Sequence, residues 1–317
     1  MTLTSLFKGT GPSGYGWSTT AEEIAEGVDL TGKTILITGC NSGLGLETMR
    51  VLAERGATVV AAARTREKAQ VAGEQVDGTT HPVACELSDP QSVTRCCAEV
   101  SAQTDRLDAI ICNAGIMALP KRETIHGYEK QFFVNHVGHF ILVDGLMNHL
   151  TDDARVIAVS SDAHKMAPSD GIQFDDLAAE GWYSAWKAYG HSKLANVLFA
   201  RELGRRFKED DTNRSAMAVH PGPIDTNLTR NMNAFFQACW SFASPLFLKT
   251  TPQGAATQTW AVVHPEPHEL NGKYLADCNI AETSEHGADI EMAEKLWETT
   301  EQIVDELDAT PADQAAS

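Results

Sequence analysis

Short, continuously apolar runs alternate with longer amphipathic ones along most of the chain. Apolar runs at Thr34–Thr38, Thr58–Ala63, Pro82–Leu87, Leu107–Cys112, Arg155–Ser160 and Ser215–His220 predict strands. The stretches between them predict helices over Leu44–Arg55, Arg66–Gln75, Pro90–Gln103, Glu129–Leu150 and Ala185–Phe207, with Asp89 or Ser88 as N-cap of the third. Runs such as VVAAA (Val59–Ala63) and VIAVS (Val156–Ser160) do not alternate with polar residues, so both faces of the sheet have to be covered. The fold class predicted is α/β, a single doubly wound, Rossmann-like parallel sheet with helices on both faces and a small substrate lid. Residues 1–30 form an N-terminal extension with one short helix over Thr20–Val28; residues 31–308 form the main domain, with the lid at about 227–250; residues 309–317 read as a flexible tail.

Composition narrows the function. A formal net charge of −18 argues against nucleic-acid binding and against attachment to an anionic membrane. The seven cysteines (Cys40, Cys85, Cys96, Cys97, Cys112, Cys239 and Cys278) are odd in number and contain no CxxC pair, so they read as reduced core residues of a cytoplasmic protein. No Cys/His spacing suits a metal site. Residues 1–18 lack a secretory apolar core, and the apolar stretch Ala234–Leu248 is too short for a membrane span and is interrupted by Gln237 and Pro245.

The first strand runs into Thr38-Gly39-Cys40-Asn41-Ser42-Gly43-Leu44-Gly45, and a helix follows at once. Glycines there let backbone approach a pyrophosphate, and the helix N-terminus offers N–H groups to it, which makes Gly39, Asn41, Ser42, Gly43, Leu44 and Gly45 candidate dinucleotide contacts. Arg64 ends the second strand, where an acidic residue would take the ribose of NAD(H); it favours the 2′-phosphate of NADP(H), the alternative being a surface arginine. Glu86 and Leu87 at the end of the third strand are further cofactor candidates, Glu86 either accepting from the adenine amino group or standing as an exposed strand-end carboxylate. Asn113, Ala114 and Gly115 close the fourth strand and leave room beside a flat ring.

Tyr189 and Lys193 lie four residues apart on a predicted helix and share a face. A free phenol titrates near pH 10, and a neighbouring ammonium would stabilise its anion, so the pair reads as a proton-transferring tyrosine tuned by a lysine that also holds the cofactor ribose. Ser161, just beyond a strand end, is placed to hydrogen-bond a reacting oxygen; simple loop capping is the other reading. His136, His139, His164, His191 and His220 read as structural.

Together these residues resemble the short-chain dehydrogenase/reductase family over about Leu30 to Leu307, in its retinol dehydrogenase-like branch, which includes chloroplast Tic32-like proteins. TGCNSGLG (Thr38–Gly45) is similar to its TGxxxGxG, CNAG (Cys112–Gly115) to its NNAG with Cys112 departing from the usual first residue, and Ser161, Tyr189 and Lys193 to its serine, tyrosine and lysine. The resemblance implies that Asn135 in FVNHVGHF supports a water-linked proton relay to the lysine. It also implies that Pro221, Gly222, Ile224 and Thr226 in HPGPIDT border the nicotinamide. It implies NADP(H) and a small hydrophobic carbonyl or alcohol substrate, with the helices beginning at Glu129 and Ala185 as the usual homodimer faces. Walls for that substrate are expected from Leu228, Met232, Phe235, Phe236, Trp240, Phe242, Leu246 and Phe247, and from Trp182, Tyr183 and Trp186. The runner-up is an NADP(H)-binding regulatory or scaffold protein with little catalysis; a nucleotide-sugar epimerase or dehydratase is disfavoured by the apolar lid.

Overall fold

A computed structural model describes residues 9–224 and 248–309. Its main sheet has strands β1 (Thr34–Thr38), β2 (Thr58–Ala63), β3 (Thr79–Ala84), β4 (Leu107–Cys112), β5 (Leu150–Val159), β6 (Ser215–His220), β7 (Tyr274–Ala276) and β8 (Asn279–Ala281), in spatial order β8-β7-β6-β5-β4-β1-β2-β3. All neighbours are parallel except the final hairpin β7–β8. The longer helices are α1 (Gly43–Glu54), α2 (Arg66–Gly73), α3 (Pro90–Gln103), α4 (Gly138–Gly145), α5 (Ala185–Glu209), α6 (Thr251–Val263) and α7 (Ile290–Ala309).

Side chains alternate across each strand, so β1 sends Leu36 to one core with Val93, Ile110, Phe140 and Phe207, and Ile35 and Ile37 to the other with Met49, Leu52, Val59 and Trp260. Both faces are thus sealed, which is why the three central positions of β1 are all apolar. The strand order reverses between β2 and β4 around β1, and at such a switch point the carboxyl ends of neighbouring strands open a crevice. Those ends carry Gly39, Asn113, Ser161 and Pro221.

Three elements depart from the sequence reading. The third strand is Thr79–Ala84, not Pro82–Leu87: it is the sheet's edge, paired only with β2 from Thr58↔Thr79 to Ala63↔Ala84, so it tolerates Thr79, Thr80, His81 and a proline, while the apolar criterion slides toward the buried loop Cys85–Leu87. The helix expected over Glu129–Leu150 is broken into an α-turn at Lys130–Phe132, a π-turn at Phe133–Val137, α4 and a 3₁₀-turn at Met147–His149. Its last predicted residue, Leu150, opens β5, whose polar start (Thr151, Asp152, Asp153) conceals a strand. The N-terminal helix shrinks to Ala21–Ile24, held by a capping box between Thr20 and Glu23.

Among the described residues the six cysteines are free and buried, no helix is long and apolar enough to cross a membrane, and no group of three or more His, Cys, Asp or Glu is arranged to hold a metal ion. Thr226, Cys239, the aromatic and aliphatic candidates from Leu228 to Phe247, and residues 310–317 lie outside the described residues.

Candidate active site

The loop between β1 and α1 is shaped by its own backbone and by the Asn113 side chain. Gly39 has φ +67°, and a Cβ on Gly45 would sit 2.3 Å from the Gly39 carbonyl oxygen and 2.6 Å from Asn113 Nδ2. Asn113 in turn donates to the Thr38 carbonyl at 2.8 Å, and the Thr38 hydroxyl accepts from the main-chain N–H groups of Asn113 and Ala114 at 3.0 Å each. The ends of β1 and β4 are therefore one unit. Ser42 is the N-cap of α1 but makes no side-chain cap bond, so first-turn N–H groups stay available to an anion. This cradle fits a pyrophosphate. Gly45→Ala is expected to cost about 1–3 kcal/mol through overpacking, read as a fall of several degrees in Tm; an unchanged melting curve would contradict the tight packing.

Tyr189 and Lys193 sit in the buried first part of α5, beneath the end of β5. Lys193 Nζ donates to the Val159 carbonyl at 2.8 Å and lies 5.6 Å from the Tyr189 ring centroid. Burial lowers Lys193 to about 8. Burial raises Tyr189 to about 12, opposed by a hydrogen bond with the Ser161 side chain. The expected lowering of the phenol by the ammonium is thus not what dominates: the lysine is spent on a carbonyl, and loss of water around the phenol outweighs its neighbours. A Cβ on Gly115 would lie 3.1 Å from Asn135 Oδ1 and 3.5 Å from Lys193 Nζ, so this glycine borders both.

Asn135 lies in the π-turn, completely buried. Its Oδ1 accepts from Ile116 N at 2.8 Å, and its Nδ2 donates to Ile116 O and to Ser192 Oγ, each at 2.9 Å. Ser192 Oγ donates to the Tyr189 carbonyl at 2.7 Å. The Asn135 side chain therefore clamps the loop after β4 to the tyrosine's helix.

Arg64 and Glu86, read from sequence as separate cofactor contacts, meet each other: Arg64 Nε is 2.9 Å from Glu86 Oε2. The other Glu86 oxygen accepts from Ser88 N and Oγ at 3.2 and 2.8 Å, which leaves it engaged within its own loop rather than free for an adenine. Leu87 is buried, its carbonyl pressed against Gly138. Ile224 flanks Gly254 together with Leu44, and Gly222 (φ +91°) packs on the stem of Lys249.

Of the expected wall residues that are described, Trp182 donates to Asp176 O with its ring tilted against His191, and the Tyr183 hydroxyl sits at 2.6 Å from Leu119 O; both are structural ties. Of these three described residues Trp186 alone is mainly exposed, at 48%, and it stands edge-on to Tyr189 at 6.1 Å. Sequence reasoning missed Lys249, which is buried and ion-paired with Asp277 at 2.7 Å beside Trp17. A single lysine after an apolar stretch carries no spacing that would reveal so distant a partner.

A mainly parallel sheet, a glycine cradle on its first βα turn and a buried Tyr–Lys pair beside the neighbouring strand ends define a dinucleotide-fold oxidoreductase: the chain belongs to the short-chain dehydrogenase family. The model of that family, short chain dehydrogenase, matches residues 33–174. Among relatives, the short-chain dehydrogenase TIC 32 A, chloroplastic, of Brassica napus is 37% identical over 309 residues, covering 94% of this chain and 96% of that one. Retinol dehydrogenase 12 of Bos taurus is 39% identical over 279 residues, 85% of each chain. A protein of Mycobacterium paratuberculosis known from its crystal structure shares 34% identity over 92% of this chain and 98% of its own, with a TM-score of 0.73.

Proposed function

We propose that this protein is an NADP(H)-dependent oxidoreductase that interconverts a hydrophobic alcohol and its ketone or aldehyde, with Tyr189 as proton donor and acceptor. The observation that carries the proposal is the meeting of Ser161, Tyr189 and Lys193 at the strand ends next to the Gly39–Gly45 cradle. A bound nicotinamide supplies or accepts the hydride. The Ser161 hydroxyl holds the substrate oxygen beside the phenol, and Tyr189 gives that oxygen its proton on reduction. Lys193, near enough to the ring to act through space, steadies the phenolate left behind. Asn135 keeps the Gly115 loop and α5 in register, and the exposed ring of Trp186 gives the substrate an apolar wall.

The test is NADPH oxidation, followed by absorbance, with decanal and with menadione as probes. Steady turnover of either supports the proposal; binding of NADPH without turnover of any carbonyl in a wider aldehyde and ketone panel would favour a regulatory nucleotide-binding protein instead. Arg64 is 64% exposed, and its Nε is steered by Glu86, leaving its terminal nitrogens for a 2′-phosphate. Arg64→Gln is therefore expected to weaken NADPH binding by roughly 10–100-fold, the range for lost charge-assisted hydrogen bonds, and to leave NADH unaffected. Tryptophan fluorescence titration with both nucleotides reads this directly; an equal loss for both would remove Arg64 from the choice between them.

A further inference from the structure

Ser161 opens the turn after β5 and caps it, its hydroxyl accepting from Ala163 N at 3.2 Å. Three residues on, His164 is 1% exposed, and backbone occupies both of its ring nitrogens. Nδ1 is 2.7 Å from the Ser161 carbonyl oxygen, and Nε2 is 2.9 Å from the main-chain nitrogen of Ser284. A carbonyl only accepts and an amide N–H only donates, so Nδ1 carries the ring hydrogen and Nε2 is bare. A second proton on the ring would point one N–H at another. The groups around His164 are Asp162 and Lys165 of the same turn, paired with each other at 2.6 Å, His220 at the end of β6, and Tyr274 of β7, whose ring meets it edge-on at 4.9 Å. A later turn of the same loop is held from the same side: His286 Nε2 donates to Ser169 O at 2.7 Å. Residues 284–286, 120 positions away in sequence, thus grip the loop that carries Ser161.

We propose that His164 is a positioning residue for Ser161: its Nδ1–H holds the Ser161 carbonyl, and the Ser284 main-chain N–H selects the one tautomer able to do so. This rests on the reading of Ser161 as the group that holds the substrate oxygen. The C-terminal part of the chain then acts on the reaction without touching substrate or cofactor.

Ser284 has φ −68°, which proline adopts without strain, so Ser284→Pro removes the N–H in question. It also removes the hydroxyl that caps Glu285–Ala288 by accepting from Gly287 N at 3.1 Å, a loss that Ser284→Ala reproduces while keeping the N–H. With decanal as probe, S284P is expected to lower kcat about tenfold relative to S284A, with the NADPH dissociation constant unchanged. In a Ser161→Ala background, S284P is expected to add no further loss. His164→Asn, whose amide nitrogen replaces Nδ1, should retain turnover that His164→Ala loses, and this pair decides the matter if S284P does not fold. Nitrogen-15 spectra of labelled histidine should show His164 as the neutral Nδ1–H form in the unmodified protein and as a titrating ring in S284P. Equal kcat for S284P and S284A with S161A inactive, equal kcat for H164N and H164A, or an Nε2–H tautomer overturns the inference alone. Near-normal turnover in S161A overturns the reading of Ser161 and takes the inference with it.

Discussion

Tyr189→Phe is expected to lower turnover on the order of 10³-fold, within the range supplied by a positioned general acid, while NADPH binding stays unchanged. The substitution removes one oxygen and leaves the buried ring in place, edge-on to Trp186 and below Lys193. The hydroxyl's interaction is with the Ser161 side chain, which retains its main-chain partner Ala163 and so need not move. The loss therefore reports proton transfer rather than collapse of the site. Burial holds the phenol near 12, so the neutral, proton-giving form prevails at neutral pH. A thermal melt and an NADPH titration run beside the kinetics separate the effects. Turnover within tenfold of the unmodified enzyme would exclude Tyr189 as the proton donor.

The second large effect concerns acid. His136, His139 and His191 are each at most 2% exposed, and burial lowers them to about 3, about 4 and about 3. Their contacts are matched to the neutral ring. His139 donates from Nδ1 to the Asn135 carbonyl at 2.9 Å and accepts at Nε2 from the Thr38 hydroxyl at 2.8 Å, while His191 Nε2 accepts from Gln173 N at 3.1 Å. His136 Nε2 donates to Thr300 Oγ1, which itself donates to Leu296 O. Each folded pKa lies below the unfolded value near 6.5, so the unfolded chain takes up protons that the folded chain refuses. Stability is complete above about pH 6.5 and falls as pH drops below it, by about 1.4 kcal/mol per pH unit for each group. Three groups carried from pH 7.5 to 5 remove roughly 6 kcal/mol, against a typical total of about 5–15 kcal/mol. Urea midpoints measured from pH 7.5 to 5 should fall steeply below 6.5, with several protons taken up on unfolding. A midpoint constant over that range would show that these rings are charged or hydrated in the fold.

What the chain determines by itself is whatever burial on both faces and local spacing encode. Thr34–Thr38, Thr58–Ala63, Leu107–Cys112 and Ser215–His220 are legible to the residue, because an interior parallel strand tolerates few polar positions and a turn residue ends it. The Gly39–Gly45 cradle and the Tyr189/Lys193 pair are legible too, since each is a requirement met within a few consecutive residues. Where one side of a strand faces water the signal weakens, and β3 slips by three residues. Where a side chain rather than the backbone repeat governs a helix, as with Asn135 tied to Ile116 and Ser192 through the π-turn, periodicity predicts one long rod that the fold interrupts.

Only the tertiary structure decides which distant polar groups meet. It joins Arg64 to Glu86, Lys249 to Asp277, and His164 to Ser284, pairs with no common spacing along the chain. It also reverses the weight given to Lys193: an ammonium four residues from a phenol suggests a lowered pKa, but enclosure of both, with Val159 taking the ammonium, leaves desolvation the larger effect. Hydrophobic pattern specifies layers because every buried position contributes to it. A hydrogen bond or a lost hydration shell depends on a meeting in space that packing alone brings about.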